Sequence, residues 1–168
     1  MARFKESTIR KDVLKGAIAG AVATWVMGKV TGAMYEREDR WVRRAEDDAR
    51  GGKTSYGAAA EKAARFAGAT LDAGQREKAG SAIHWMIGIG AGATYAVLRR
   101  RFNAIGRTAG VGFGTAFWAL LDEGVVPALG LTPGPLAFPW QTHARGLAGH
   151  LTFGTVTDGT LRLLDTVA

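Results

Sequence analysis

Four long stretches of apolar and small residues alternate with polar segments along the chain. They run over residues 13–35, 79–98, 108–131 and 146–167. Each approaches the ~20 residues that a helix needs to cross a bilayer. None shows the period-two alternation of a half-buried strand. A soluble helix keeps one polar face, whereas these stretches are apolar or small all round. The pattern predicts an all-α fold: an integral membrane bundle of four transmembrane helices, forming one membrane domain over residues 1–168. The first stretch exceeds the ~7–15-residue apolar core of a signal peptide and has no clear small-residue cleavage site after it, so it reads as a retained anchor.

Residues 36–78 form the one strongly polar region, with ten Lys/Arg and nine Asp/Glu. "EREDRWVRRAEDDAR" reads as a solvated helix laced with ion pairs. "SYGAAAEKAARFAGATL" is Ala-rich and weakly amphipathic, and either lies on the membrane surface or caps the bundle. The interleaved acids cancel the basic field that phosphate binding requires, which argues against nucleic acid as a partner.

Glycine changes the picture next, at 24 of 168 residues. Gly16/Gly20, Gly28/Gly32, Gly88/Gly92 and Gly110/Gly114 repeat the four-residue spacing that lets helices in lipid approach closely. The runs "GIGAG" and "GVGFG" lack the GxGxxG spacing, a preceding strand and a Walker lysine, so they are not phosphate loops. Cysteine is absent, which excludes disulfides and thiolate chemistry.

The net charge is +7. Basic residues concentrate in the N-terminal tail (Arg3, Lys5, Arg10, Lys11, Lys15) and in the loop bearing Arg99, Arg100, Arg101 and Arg107. The loop after the third stretch has only Arg145. The positive-inside rule then puts both termini and the Arg99–Arg107 loop in the cytoplasm, with residues 36–78 outside.

Against this apolar background, His84, Asp122, Glu123, His150 and Asp158 stand out. An ionisable group in a membrane helix needs a partner or a wet cavity and marks a candidate site. With the predicted orientation, His84 lies one to two turns in from the outer end and His150 about one turn in. Asp122 and Glu123 lie ~20 Å along the third helix, near the same depth. Tyr95, eleven residues after His84, and Asp158, eight after His150, predict a second polar layer deeper down. The link "GLTPGPLAFPWQTHARG" contains Pro133, Pro135 and Pro139, which forbid a continuous helix. It either folds back as an apolar lid, bringing His143 near the site, or runs as an interfacial connector.

At these residues the chain resembles the YagU-like family of bacterial inner-membrane proteins, which has no assigned activity. The resemblance covers Ile83–Leu164. It rests on His84 with Tyr95 eleven residues on, Pro127 followed by "GLTP" at Gly130–Pro133, and "PW" at Pro139–Trp140. It also rests on "GHL" at Gly149–Leu151 and an acid eight residues after that His, Asp158. It implies an inner-membrane location, and some members are linked to survival in acid. Asp122 stands where a family His is expected, which keeps a proton-exchanging group there but no fixed metal stoichiometry.

The leading expectation is a membrane protein, not an enzyme, whose buried His/carboxylate cluster (His84, Asp122, Glu123, His150, with Tyr95 and Asp158) binds or relays protons. Imidazole suits that task because its ordinary range spans neutral pH. No cofactor is required. A second expectation is a divalent metal such as Zn²⁺ held by His84, Asp122 and His150, although no HxxxH or HExxH chelating pair is present. A third is a structural or assembly subunit, homo-oligomeric or part of a larger membrane complex.

Overall fold

The computed structural model describes the backbone of residues 2–167 and the side chains of residues 9–166. The side chains of Arg3 and Lys5 lie outside that range. The chain is helical, with no strand among the described residues: α1 (Ala2–Arg37), α2 (Arg40–Arg50), α3 (Ser55–Phe66), α4 (Ala73–Arg101), α5 (Asn103–Arg107), α6 (Val111–Leu120), α7 (Val126–Ala128) and α8 (Trp140–Val167). A π-helical turn, Leu121–Val125, joins α6 to α7, and a 3₁₀ turn, Pro135–Ala137, lies in the proline-rich link. Two helices, over Ile9–Arg37 and Ala73–Arg101, are long and apolar enough to cross a membrane.

Boundaries differ from the sequence expectation where local chemistry intervenes. α4 starts six residues before Ala79 because Asp72 caps it. The Asp72 carboxylate accepts from the Gln75 amide at 2.8 Å, and the Gln75 side chain accepts from the Asp72 amide at 3.0 Å. This reciprocal pair satisfies two amides at the helix start. The third apolar stretch is continuously helical from Val111 to Ala128, with the π turn inside it. Ala109 and Gly110 turn left-handed, with φ of 47° and 83°, and separate α5 from α6. Gly110 is required there twice over, since a Cβ would also strike the backbone of Gly154.

α1 packs along both α4 and α8, and α8 carries α6 on its far side. Two of the glycine pairs set the first contact. A Cβ on Gly16 would lie 2.6 Å from Ala93 Cα, and one on Gly92 would lie 2.5 Å from Gly20 Cα. The backbones therefore meet directly, as small residues permit. Gly114 does the same against the His150 carbonyl on α8. Gly28 and Gly32 face open space and join no interface, contrary to their spacing. Trp25 is exposed, with Lys29 beside its ring.

The polar region caps one end of the bundle instead of standing apart from it. α3 lies against α4, with Gly80 seated on the Gly57 backbone. Lys62 donates to the Leu129 carbonyl at 2.7 Å. Buried Arg145 on α8 pairs with Glu38 and with buried Glu46, and Thr142 donates to Glu46 at 2.9 Å. At the opposite end, Asp12–Arg100 (2.6 Å) ties α1 to α4 and Lys15–Asp165 (3.0 Å) ties α1 to α8.

Candidate functional site

The capped end encloses a cavity of about 230 Å³. His84 comes from α4, Asp122 and Glu123 from the π turn, and His143 and His150 from α8. Tyr56 and Arg50 reach in from the polar region, and Pro135 and Phe138 cover it from the link. The expected cluster thus assembles around one space, and the link folds back as the lid. A π turn widens the helix by one residue and often occurs at functional sites. Here it carries both acids.

The contacts within the cluster differ in kind. His150, only 2 % exposed, directs Nδ1 at the Gly146 carbonyl, 3.0 Å away, with Asp122 Oδ2 at 3.6 Å. The carbonyl only accepts, so Nδ1 carries its hydrogen. His84 reaches no carboxylate. Its ring packs on Tyr56, with centroids 4.7 Å apart, and its Nδ1 finds no hydrogen-bond partner among the described residues. Trp118 Nε1 and Arg50 Nε, both on the cavity wall, are in the same position. Burial, with the Asp122 charge adding, pushes the Tyr56 hydroxyl well above its usual range, so Tyr56 stays neutral. A second void of about 10 Å³ lies between His84 and His150, room for at most one water.

His143 makes the most demanding pair. Its Nδ1 is 2.7 Å from Glu123 Oε1 and its Nε2 is 3.0 Å from the Pro135 carbonyl. Nε2 must donate to that carbonyl. A second proton must then lie between Nδ1 and the carboxyl oxygen, on one atom or the other. With both contacts made, the His143 ring bridges the π turn and the link. The sequence placed His143 near the site through the lid, but the partnership with Glu123 depends on the fold. Arg50, Tyr56 and Trp118 gave no sequence signal as site residues.

The deeper layer also forms. Tyr95 donates to Asp158 Oδ1 at 2.8 Å, and both are fully buried. Asp158 is further held by Arg99 at 3.2 Å and Arg162 at 2.6 Å. Its carboxylate is thus fixed by two guanidinium groups, which makes it an anchor. Between the layers stands an aromatic column. Phe117 meets His150 at 5.1 Å and Phe113 at 5.8 Å, and Phe113 meets Tyr95 at 4.9 Å.

Residues 60–159, from α3 into α8, match a family described as a protein of unknown function (DUF1440). The chain belongs to the DUF1440 family. No curated protein and no solved structure matches it. The DUF1440 match includes His84, Asp122, Glu123, His143, His150 and Asp158, but not Arg50, Tyr56 or Glu46. Among the described residues of this DUF1440 protein, no three His, Asp or Glu side chains are grouped closely enough to hold a metal ion. His84, Asp122 and His150 line one cavity.

Proposed function

We propose that this protein is a four-span inner-membrane protein that binds protons in its capped cavity and responds through the cap. α1, α4, the α6–α7 segment and α8 are the spans, with both termini and the Arg99–Arg107 loop cytoplasmic and the cavity facing out. The two helices of spanning length and the arginine-rich, acid-free loop support that placement. No catalytic step is part of this reading.

One observation carries the proton-binding function: His143 with Glu123 on one ring nitrogen and the Pro135 carbonyl on the other. The lid is latched to the π turn only while that pair retains its proton. Loss of the proton leaves a lone pair facing a carboxylate, and the latch opens. Asp122 beside His150 supplies a second exchanging pair in the same cavity. Binding is favoured over relay, because the Phe117–Phe113 column stands between the cavity and Asp158. The YagU-like resemblance, with its link to acid survival, agrees with a protein that responds to external acid.

The test counts protons. The detergent-solubilised chain is acidified stepwise and its uptake is compared with that of a Glu123→Gln/His143→Gln variant. The variant is expected to bind at least one proton fewer, and its proline-rich link to become sensitive to protease at acid pH. Equal uptake by both proteins contradicts the function.

A further inference from the structure

The bundle is open along one side. α1 fills the angle between α4 and α8, and α8 carries α6, but α4 and α6 face each other across a groove of about 700 Å³. Ile87, Ala91 and Leu98 form one wall, and Phe113, Ala116 and Leu120 the other. The lining is apolar apart from two threonines, Thr94 and Thr108, and the Thr108 hydroxyl already donates to the Ile105 carbonyl at 3.0 Å. α5 closes the groove at its arginine-rich end.

Charge at that end is unevenly matched. Arg99 pairs with Asp158 and Asp165, Arg100 with Asp12, and Arg162 with Asp158. Those pairs face α1 and α8. Arg101 ends α4 less than one turn beyond Leu98, and Arg107 ends α5 beside Thr108. Both are exposed, and neither makes an ion pair among the described residues. Two exposed arginines thus lie within three residues of the groove-lining Leu98 and Thr108.

We propose that the α4–α6 groove seats an acyl chain of an anionic phospholipid, with its phosphate held by Arg101 and Arg107. This rests on the membrane placement above and is independent of the proton chemistry. A chain in the groove covers surface that no helix of the bundle covers, and guanidinium groups suit a phosphate in geometry as well as charge. A second copy fits less well. Two copies inserted in the same direction would bring arginine-rich ends together, with no acid to offset them.

The full chain, purified in detergent, is incubated with phosphatidylglycerol or with phosphatidylcholine of the same acyl composition, and retained lipid is read by native mass spectrometry. Wild type is expected to retain phosphatidylglycerol several-fold more than phosphatidylcholine. Arg101→Gln/Arg107→Gln, at exposed positions that leave the packing alone, is expected to retain the two equally. Ala116→Trp, on the exposed groove wall, is expected to lose both. Equal retention by wild type, or an undiminished preference in the arginine variant, overturns the proposal, as does cross-linking of two copies through Ala91 and Ala116. Recovery of the chain from the aqueous fraction without detergent removes the membrane placement and the lipid site together. A detergent-requiring chain that does not discriminate between the lipids removes the lipid site alone.

Discussion

Tyr56 of α3 lays its ring against His84 of α4, with centroids 4.7 Å apart. This contact makes the polar region a wall of the cavity. Tyr56→Ala is expected to loosen α3 from α4 while leaving the helical bundle folded. An aromatic pair contributes ~1 kcal/mol beyond the area it buries. Limited proteolysis should therefore cut residues 51–72 several-fold faster in the variant, and an unchanged cutting rate would show that the contact does not hold the cap.

The second prediction concerns pH and the Arg145 clamp. Burial raises the pKa of Glu46, but the hydrogen bond from Arg145, the charges of Arg50 and Arg145, and the bond from Thr142 outweigh it. The carboxyl is held below its ordinary range. A depressed carboxylate contributes stability that is fully present above its unfolded-state value and is lost as pH falls through the folded value. The cap should therefore stay docked at neutral pH and release only in acid stronger than the ordinary carboxylate range. Glu46→Ala should loosen it already at neutral pH, because it removes one of the two carboxylates that pair with buried Arg145. Hydrogen exchange in α2 measured against pH in both proteins checks this, and parallel profiles would count against the clamp.

Asp158 should behave as an anchor for the arginine-rich end. Asp158→Ala leaves Tyr95 without its acceptor and removes partners from Arg99 and Arg162. The buried member of this set is the Tyr95–Asp158 bond, since Arg162 is exposed and Arg99 keeps Asp165. The expected result is a marked loss of thermal stability in detergent, with proton uptake at the capped end retained per folded molecule. Loss of uptake at full stability would instead make Asp158 part of the proton site.

Glycine positions divide by what faces them. Gly92→Val must push α1 away from α4, because backbone atoms of Gly16 and Gly20 stand where its side chain would go. Overpacking of that kind costs about 1–3 kcal/mol. Gly28→Ala meets nothing within 4 Å and should be neutral or stabilise the helix by up to ~1 kcal/mol. Melting of the two variants in the same detergent tests the pair, and equal shifts would contradict the contact.

Much of this was legible in sequence because the signals are strong ones. Interrupted apolar stretches marked His84, Asp122, Glu123 and His150, and helical rise put them near one depth. Glycine spacing located the α1–α4 contact at Gly16, Gly20, Gly88 and Gly92, but it could not separate these from Gly28 and Gly32, which share the spacing and lack a partner. The left-handed turn at Ala109–Gly110 was missed because it falls at the first residues of the third stretch, where small residues read as the start of a helix. The roles of Tyr56, Arg50 and Arg145 depend on how a highly charged segment folds over the bundle, and a mixed charge run is equally compatible with a solvated helix. The pairing of Arg99 and Arg162 with Asp158 was not legible, because spacing gives depth and says nothing of what lies alongside.

The most direct measurement is the protonation state of His143, read by nitrogen NMR of imidazole-labelled protein in lipid bilayers, with the resonance assigned by its loss in His143→Gln. The latch predicts that, with the lid closed in acid, Nε2 is hydrogen-bonded and a proton is shared between Nδ1 and Glu123. It also predicts that Glu123→Gln changes this signal in spectra taken from acid to neutral pH. A His143 signal that remains a plain neutral imidazole over that whole range, and is indifferent to Glu123→Gln, would contradict proton binding at this site.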